Sequence, residues 1–272
     1  MRSANRRGEV PTTVCAQTAP TAAMRHLLRI RNMTKTFPDG ADTVTVFAGA
    51  ALEMTAASQV GVYGKRRSGK STLLRIASGI EPPDEGTVLF QGEDLTHLTG
   101  TGRARLLRSR LAYIAVADWR PNPGESILQH VAVALGGAGR TVSDAEGRAL
   151  RELEVVGVSV AQAHSLATRL SMMDRMRVMF ARALAREPSL LVIDDPVVTA
   201  SASERDELYT LLRTLTRMRG IGLLVASDDL PALQGFDVFM SISAREICSS
   251  ERSAKIVPFP SAPSLGPAVI GS

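Results

Sequence analysis

The residues with the clearest chemical meaning are Gly64-Lys65-Arg66-Arg67-Ser68-Gly69-Lys70-Ser71-Thr72, where a glycine is followed after four residues by Gly-Lys-Ser. That spacing is the phosphate-loop pattern. Backbone N–H groups of such a loop and of the helix start after it surround a β-phosphate, and the helix dipole favours negative charge there. Lys70 is placed to reach the β- and γ-phosphates, and the Ser71 hydroxyl to take a position on Mg²⁺. The required context is present: Val60 to Tyr63 reads as a short apolar strand before the loop, and Ser71 onward, through Leu73, Leu74 and Ile76, as a helix after it. Arg66 and Arg67 either add positive charge near the phosphates or point into water as loop residues do.

An acidic partner for such a loop stands at the end of another apolar run. Asp194 follows Leu190 to Ile193 and is placed to hold the Mg²⁺ shell from across a sheet. Asp195 comes next, and the pair can also cap a turn opened with Pro196.

The elements that must position these groups are legible in the hydrophobic pattern. Leu28 and Ile30, then Val44, Val46, Leu52 and Met54, are spaced for half-buried antiparallel strands, and Val88 to Phe90 reads as a further strand. Leu111 to Ala117 reads as another strand, followed by mostly helical sequence in which Pro121-Asn122-Pro123-Gly124 marks a loop and Ser143 and Asp144 are N-cap candidates. Met176, Met179, Phe180, Ala183 and Leu184 keep helical i, i+3, i+4 spacing, so an amphipathic helix is predicted from about Asp174 to Arg186, ended by Pro188. Leu190 to Ile193 and Ile221 to Ala226 are continuous apolar runs, the pattern of strands buried on both faces of a parallel sheet. The predicted organisation is a loose leader over 1–25, one α/β domain over 26–252 with a helical lobe at about 118–172, and a flexible tail over 253–272. Met24 offers an alternative start.

Composition narrows the functional classes. With 272 residues, 44% hydrophobic and 22% charged, the chain can bury one large core. The net charge of +5 comes almost wholly from arginines that alternate with Asp and Glu. No aromatic residues interleave with a basic run, so nucleic acid is not an expected partner. Cys15 and Cys248 fit no metal or redox spacing, and a reducing cytoplasm is the default location. No uncharged apolar stretch approaches the ~18 residues that span a bilayer.

The sequence from about Leu27 to Ile247 resembles ABC transporter ATPases, especially those serving lipoprotein release, macrolide export and the cell-division permease complex. Besides the phosphate loop, the likeness rests on Gly86-Thr87-Val88, on Gly92-Glu93-Asp94-Leu95, and above all on Ala181-Arg182-Ala183-Leu184-Ala185-Arg186-Glu187-Pro188 leading into Leu190-Leu191-Val192-Ile193-Asp194-Asp195-Pro196. The resemblance implies a P-loop NTPase fold of the α/β class, with a mostly parallel central sheet, an N-terminal antiparallel β subdomain and an inserted helical subdomain. It implies ATP and Mg²⁺ as cofactors, and a place on the inner face of the cell membrane beneath a separate permease subunit. In the family, two subunits sandwich two nucleotides, each between the phosphate loop of one and a Leu-Ser-Gly-Gly-Gln signature of the other.

Several positions depart from the family pattern. The signature segment reads Leu170-Ser171-Met172-Met173-Asp174; Ser171 can still donate to a γ-phosphate, but two methionines replace glycines whose missing Cβ allows close backbone approach. The family's catalytic glutamate is Asp195, one methylene shorter, and an ångström of displacement costs on the order of 100-fold in rate. Ala115, Val116 and Ala117 stand where a Gln is expected, Asp228 where a switch histidine is expected, and Ser201 where a loop Asp is expected. Phe37 stands at the adenine-stacking position, where a flat ring suffices, though a Phe among strand residues also serves as core. The Trp119 to Gly124 loop matches the region that faces the membrane subunit, or is an exposed turn with an incidental Trp. Together these features predict binding of MgATP with weak hydrolysis at Lys70 and Asp195, and a heterodimer with a second ATPase in preference to a homodimer. A catalytically inert regulatory subunit is the alternative.

Overall fold

Two long strands open the chain because their residues alternate in burial. β1 (His26–Asp39) buries Leu28, Ile30 and Met33, and β2 (Asp42–Thr55) buries Phe47, Ala50, Leu52 and Met54. They form a hairpin whose register shifts at several points, one of them beside the left-handed Asn32. The computed structural model describes residues 26–40, 42–115, 118–135, 141–194, 201–243 and 246–250. β4 (Glu85–Phe90) and β5 (Glu93–Asp94) complete an antiparallel sheet of order β2-β1-β4-β5.

The second sheet has six strands in the order β10-β9-β3-β8-β7-β6, built from β3 (Gln59–Tyr63), β6 (Leu111–Ala115), β7 (Leu190–Asp194), β8 (Gly222–Ser227), β9 (Val238–Ser243) and β10 (Glu246–Ser250). Every pairing from β9 to β6 is parallel, and only the edge strand β10 runs antiparallel. β7 shows why its sequence is an unbroken apolar run. Leu190 and Val192 enter a core shared with β1, β2, β4 and helix α1 (Lys70–Ala77), while Leu191 and Ile193 enter a second core on the opposite face. All four are fully buried, as are Leu223 and Val225 on one face of β8 and Leu224 and Ala226 on the other. A parallel strand covered on both sides has no face left for polar residues.

Helices fill the second face. Between α2 (Gly100–Ser109) with β6 and the later helix α6 (Met172–Leu184) lie α3 (Ile127–Ala132), α4 (Val142–Val155) and α5 (Val160–Ala163). α7 (Ala202–Met218) precedes β8. Their starts are set by side chains: Ser126, Ser159 and Ser201 each form a reciprocal capping box with a Gln or Glu three residues on. The cap of α4 is Thr141, not the expected Ser143 or Asp144; its Oγ1 accepts from the Asp144 N–H at 3.2 Å. Asp144 instead adds a favourable negative charge within the first turn, two residues after the helix begins. Trp119 is buried rather than exposed, edge-on to His130 at 4.7 Å between ring centroids.

The architecture is that of an α/β P-loop NTPase, with an antiparallel β subdomain built from β1 and β2 together with β4 and β5, and helices α3 to α5 inserted between β6 and α6. Among the described residues no helix is long and apolar enough to cross a membrane.

Candidate functional site

Register places the chemistry along one edge. Tyr63 lies beside Ser227, Ala226 beside Asp194, and Asp194 beside Ala115, so the carboxyl ends of β3, β8, β7 and β6 line up. In open parallel sheets this edge is where ligands bind, because the following loops and helix starts converge there.

The loop after β3 is closed tightly on itself. The Gly64 N–H donates to the Ser227 carbonyl at 3.2 Å, which ties the loop's entry to the end of β8, and the Ser68 N–H donates to the Lys65 carbonyl at 3.1 Å. The Lys70 side chain is 8% exposed; its Nζ donates to the carbonyls of Gly64 at 2.8 Å and Lys65 at 3.2 Å. The ammonium thus sits against the loop's own backbone, inside the ring of residues 64–70. Gly64 leaves no room for more: a Cβ there would lie 2.3 Å from the Ser68 Oγ. Gly69 is in the left-handed region at φ 100°, and a Cβ on it would come within 2.6 Å of Val46. β2 therefore packs directly over the loop, and only glycine satisfies both constraints at position 69. Arg67 also has positive φ, 61°, which costs a side-chain-bearing residue on the order of 1 kcal/mol.

The electrostatic character follows from the same residues. α1 begins at Lys70 with no side-chain cap and no acidic residue in its first turn, so its N-terminal N–H groups and dipole face the loop uncompensated. The Ser68 hydroxyl is buried and has no hydrogen-bond partner, an orphaned polar group inside the loop that a phosphate oxygen would satisfy. Lys65, Arg66 and Arg67 are exposed at the rim, and Ser71 and Thr72 open the helix. The arrangement has the N–H donors and positive charge that could hold a phosphate chain. The Ser71 hydroxyl and the Asp194 carboxylate are hard oxygen donors of the kind that could hold Mg²⁺.

Asp194 has a partner that sequence reasoning missed. The Tyr113 hydroxyl, on β6, donates to its Oδ2 at 3.3 Å. Burial, and then the negative charge of Asp194, raise the Tyr113 phenol far above its ordinary value, so it remains a donor. Tyr113 itself packs against the core that contains Val192 and the α1 residues Leu73 and Leu74. No local pattern signals the contact, which depends on the β6–β7 register.

The remaining sequence-predicted residues lie in separate parts of the fold. Phe37 is half-buried near the tip of the hairpin, opposite Val44, two residues from the Val46 that covers Gly69, and Lys35 Nζ lies 5.4 Å from its ring centroid. Asp228 is exposed, with Arg66 Nε 3.7 Å from its carboxylate, so the loop arginine and this aspartate face one another. Ser171 caps α6, accepting from the Asp174 N–H at 3.1 Å and donating to its carboxylate at 2.7 Å. Met172 and Met173 form the first turn of that helix. Ser201 caps α7. Asp195, with Val116 and Ala117, lies outside the described residues.

Residues 47–198 match the family model described as ABC transporter. The chain is 32% identical over 203 residues to the lipoprotein-releasing system ATP-binding protein LolD of Shewanella frigidimarina, covering 75% of this chain and 84% of that protein. It is 31% identical over 211 residues to LolD of Pseudomonas syringae pv. tomato, covering 78% and 92%. Among solved structures it is similar to the ATP-binding cassette MJ0796, in a dimeric post-hydrolysis state bound to ADP and Pi, with a TM-score of 0.75 and 22% identity over 82% of this chain and 98% of that one. A second is cbiO1 from Clostridium perfringens, part of the ABC transporter complex cbiONQ, with a TM-score of 0.71 and 19% identity over 82% and 87%. At such identities the structures speak for the fold, and the sequence matches carry the family: this chain belongs to the ABC transporters, as an ATP-binding subunit.

Proposed function

We propose that this subunit binds MgATP in the loop from Gly64 to Thr72 and couples nucleotide-dependent closure against a second, homologous ATPase subunit to a separate membrane permease, with slow hydrolysis. The observation that carries the binding reading is the loop itself: an uncapped helix start, the buried Lys70 ammonium and the orphaned Ser68 hydroxyl converge on one small volume. Lys70 would exchange its bonds to the Gly64 and Lys65 carbonyls for bonds to β- and γ-phosphate oxygens. Lys65 and the two rim arginines add positive charge, and Phe37 supplies a face for the adenine. Ser71 and Asp194 would hold Mg²⁺, which when bound neutralises charge on the phosphate oxygens.

Slow turnover follows from the groups around the γ-phosphate position. Asp195 is the candidate catalytic carboxylate, one methylene short of the family's glutamate. Asp228 brings negative charge where an imidazole would donate, and Arg66 beside it offsets part of that charge. On the opposite half-site, the Ser171 hydroxyl is engaged in capping α6, and Met172 and Met173 place side chains where glycines would admit a phosphate. A homodimer would carry these substitutions at both nucleotides, which favours a competent second ATPase as partner. The same observations support the alternative of a subunit that binds ATP but does not turn it over.

Steady-state turnover by the purified chain, measured alongside nucleotide binding, tests this. Saturable binding with little or no phosphate release is expected; robust turnover that Lys70→Ala abolishes would contradict it. Permease recovered with the tagged chain tests the coupling role.

A further inference from the structure

Tyr113 is joined to the candidate metal carboxylate by a single contact. Its hydroxyl donates to Asp194 Oδ2 at 3.3 Å, and the residue packs against the core that holds Val192 and the α1 residues Leu73 and Leu74. The strand pairing fixes this geometry from both sides: Tyr113 lies beside Val192, and Ala115 beside Asp194, so the phenol reaches along β7 to the carboxylate two residues on. Neither neighbour in the sheet can supply a competing bond, because the residues flanking Asp194 are Ala115 and Ala226.

From this arrangement we infer that Tyr113 is a positioning residue for divalent-metal binding: it holds one carboxylate oxygen of Asp194 and leaves the other to serve as a metal ligand at the phosphate loop. The inference rests on the MgATP reading given above. A carboxylate at a strand end can rotate, and a hydrogen bond to one oxygen selects the rotamer. Outer partners of this kind change metal affinity by about 10- to 100-fold. The role is distinct from catalysis, since the phenol touches Asp194 and not the phosphates.

The test is Tyr113→Phe, which keeps the ring and removes the hydroxyl. Binding of a fluorescent ATP analogue is titrated with Mg²⁺, and separately measured in EDTA. The half-saturating Mg²⁺ concentration should rise about tenfold, with metal-free nucleotide affinity and melting temperature unchanged. In an Asp194→Asn background the same substitution should have no further effect, because the two residues act as one unit. An unchanged Mg²⁺ dependence, an equal loss in EDTA, or additivity with Asp194→Asn would each overturn the inference. If the unsubstituted chain itself shows no Mg²⁺-dependent binding, the MgATP reading fails instead.

Discussion

Gly64 shows how narrowly the loop is specified. Its missing Cβ makes room for the Ser68 hydroxyl, and that hydroxyl is the group left buried and unpartnered. Gly64→Ala would place a methyl 2.3 Å from the Ser68 Oγ, so the serine must turn or the loop must open. The substitution is expected to weaken MgATP binding by at least about tenfold, or 1.4 kcal/mol, with little change in melting temperature, as an equilibrium titration beside a thermal melt will show. The chemistry of this loop is legible in the sequence because glycine spacing, lysine and hydroxyl are all local. The Asp194 contact to Tyr113 and the Arg66 pairing with Asp228 are not, since they join residues 81 and 162 positions apart (194 − 113 and 228 − 66).

The elements divide by the same rule. β7 and β8 are readable because strands covered on both faces must be apolar throughout, and α6 because its buried Met176, Phe180, Ala183 and Leu184 repeat at helical spacing. Its start is less readable, lying at Met172 where Ser171 takes the cap. The start of α4 was displaced by competition among Thr141, Ser143 and Asp144, three good caps within four residues, and the length of the β1–β2 hairpin is masked by bulges that interrupt the alternation. The junction of α3 and α6 carries a prediction of its own. His130 is buried, with Glu125 at 3.2 Å from Nδ1 and Arg182 at 3.5 Å from Nε2. Burial, then the Arg182 charge, lower its pKa below the ordinary 6.5, against the opposing pull of Glu125. The unfolded chain therefore takes up this proton first as pH falls. The stability contributed by neutral His130 is full above pH 6.5 and is lost as pH drops from there through the lowered folded value. Thermal melts below pH 6.5 should show a shallower decline for His130→Asn than for the unsubstituted protein; parallel curves would show that the imidazole does not titrate this way.

At the scale of the whole molecule, the fold delivers four strand ends, one helix start and one covering hairpin to a single edge, and the family relationship names what such an edge serves. In the proposed reading, the substitutions fall on hydrolysis and on contact with a second subunit, while Gly64, Gly69, Lys70 and Ser71 keep the phosphate-loop pattern. Holding ATP is thus separate from breaking it in the proposed function, and holding is the property on which the rest of it depends. The most direct test is an equilibrium titration of MgATP into the purified chain and into Lys70→Ala, with circular dichroism to confirm that both are folded. The unsubstituted chain should bind saturably, and Lys70→Ala should lose at least about tenfold in affinity. Equal binding by two folded proteins, or none by the unsubstituted chain, would contradict the account.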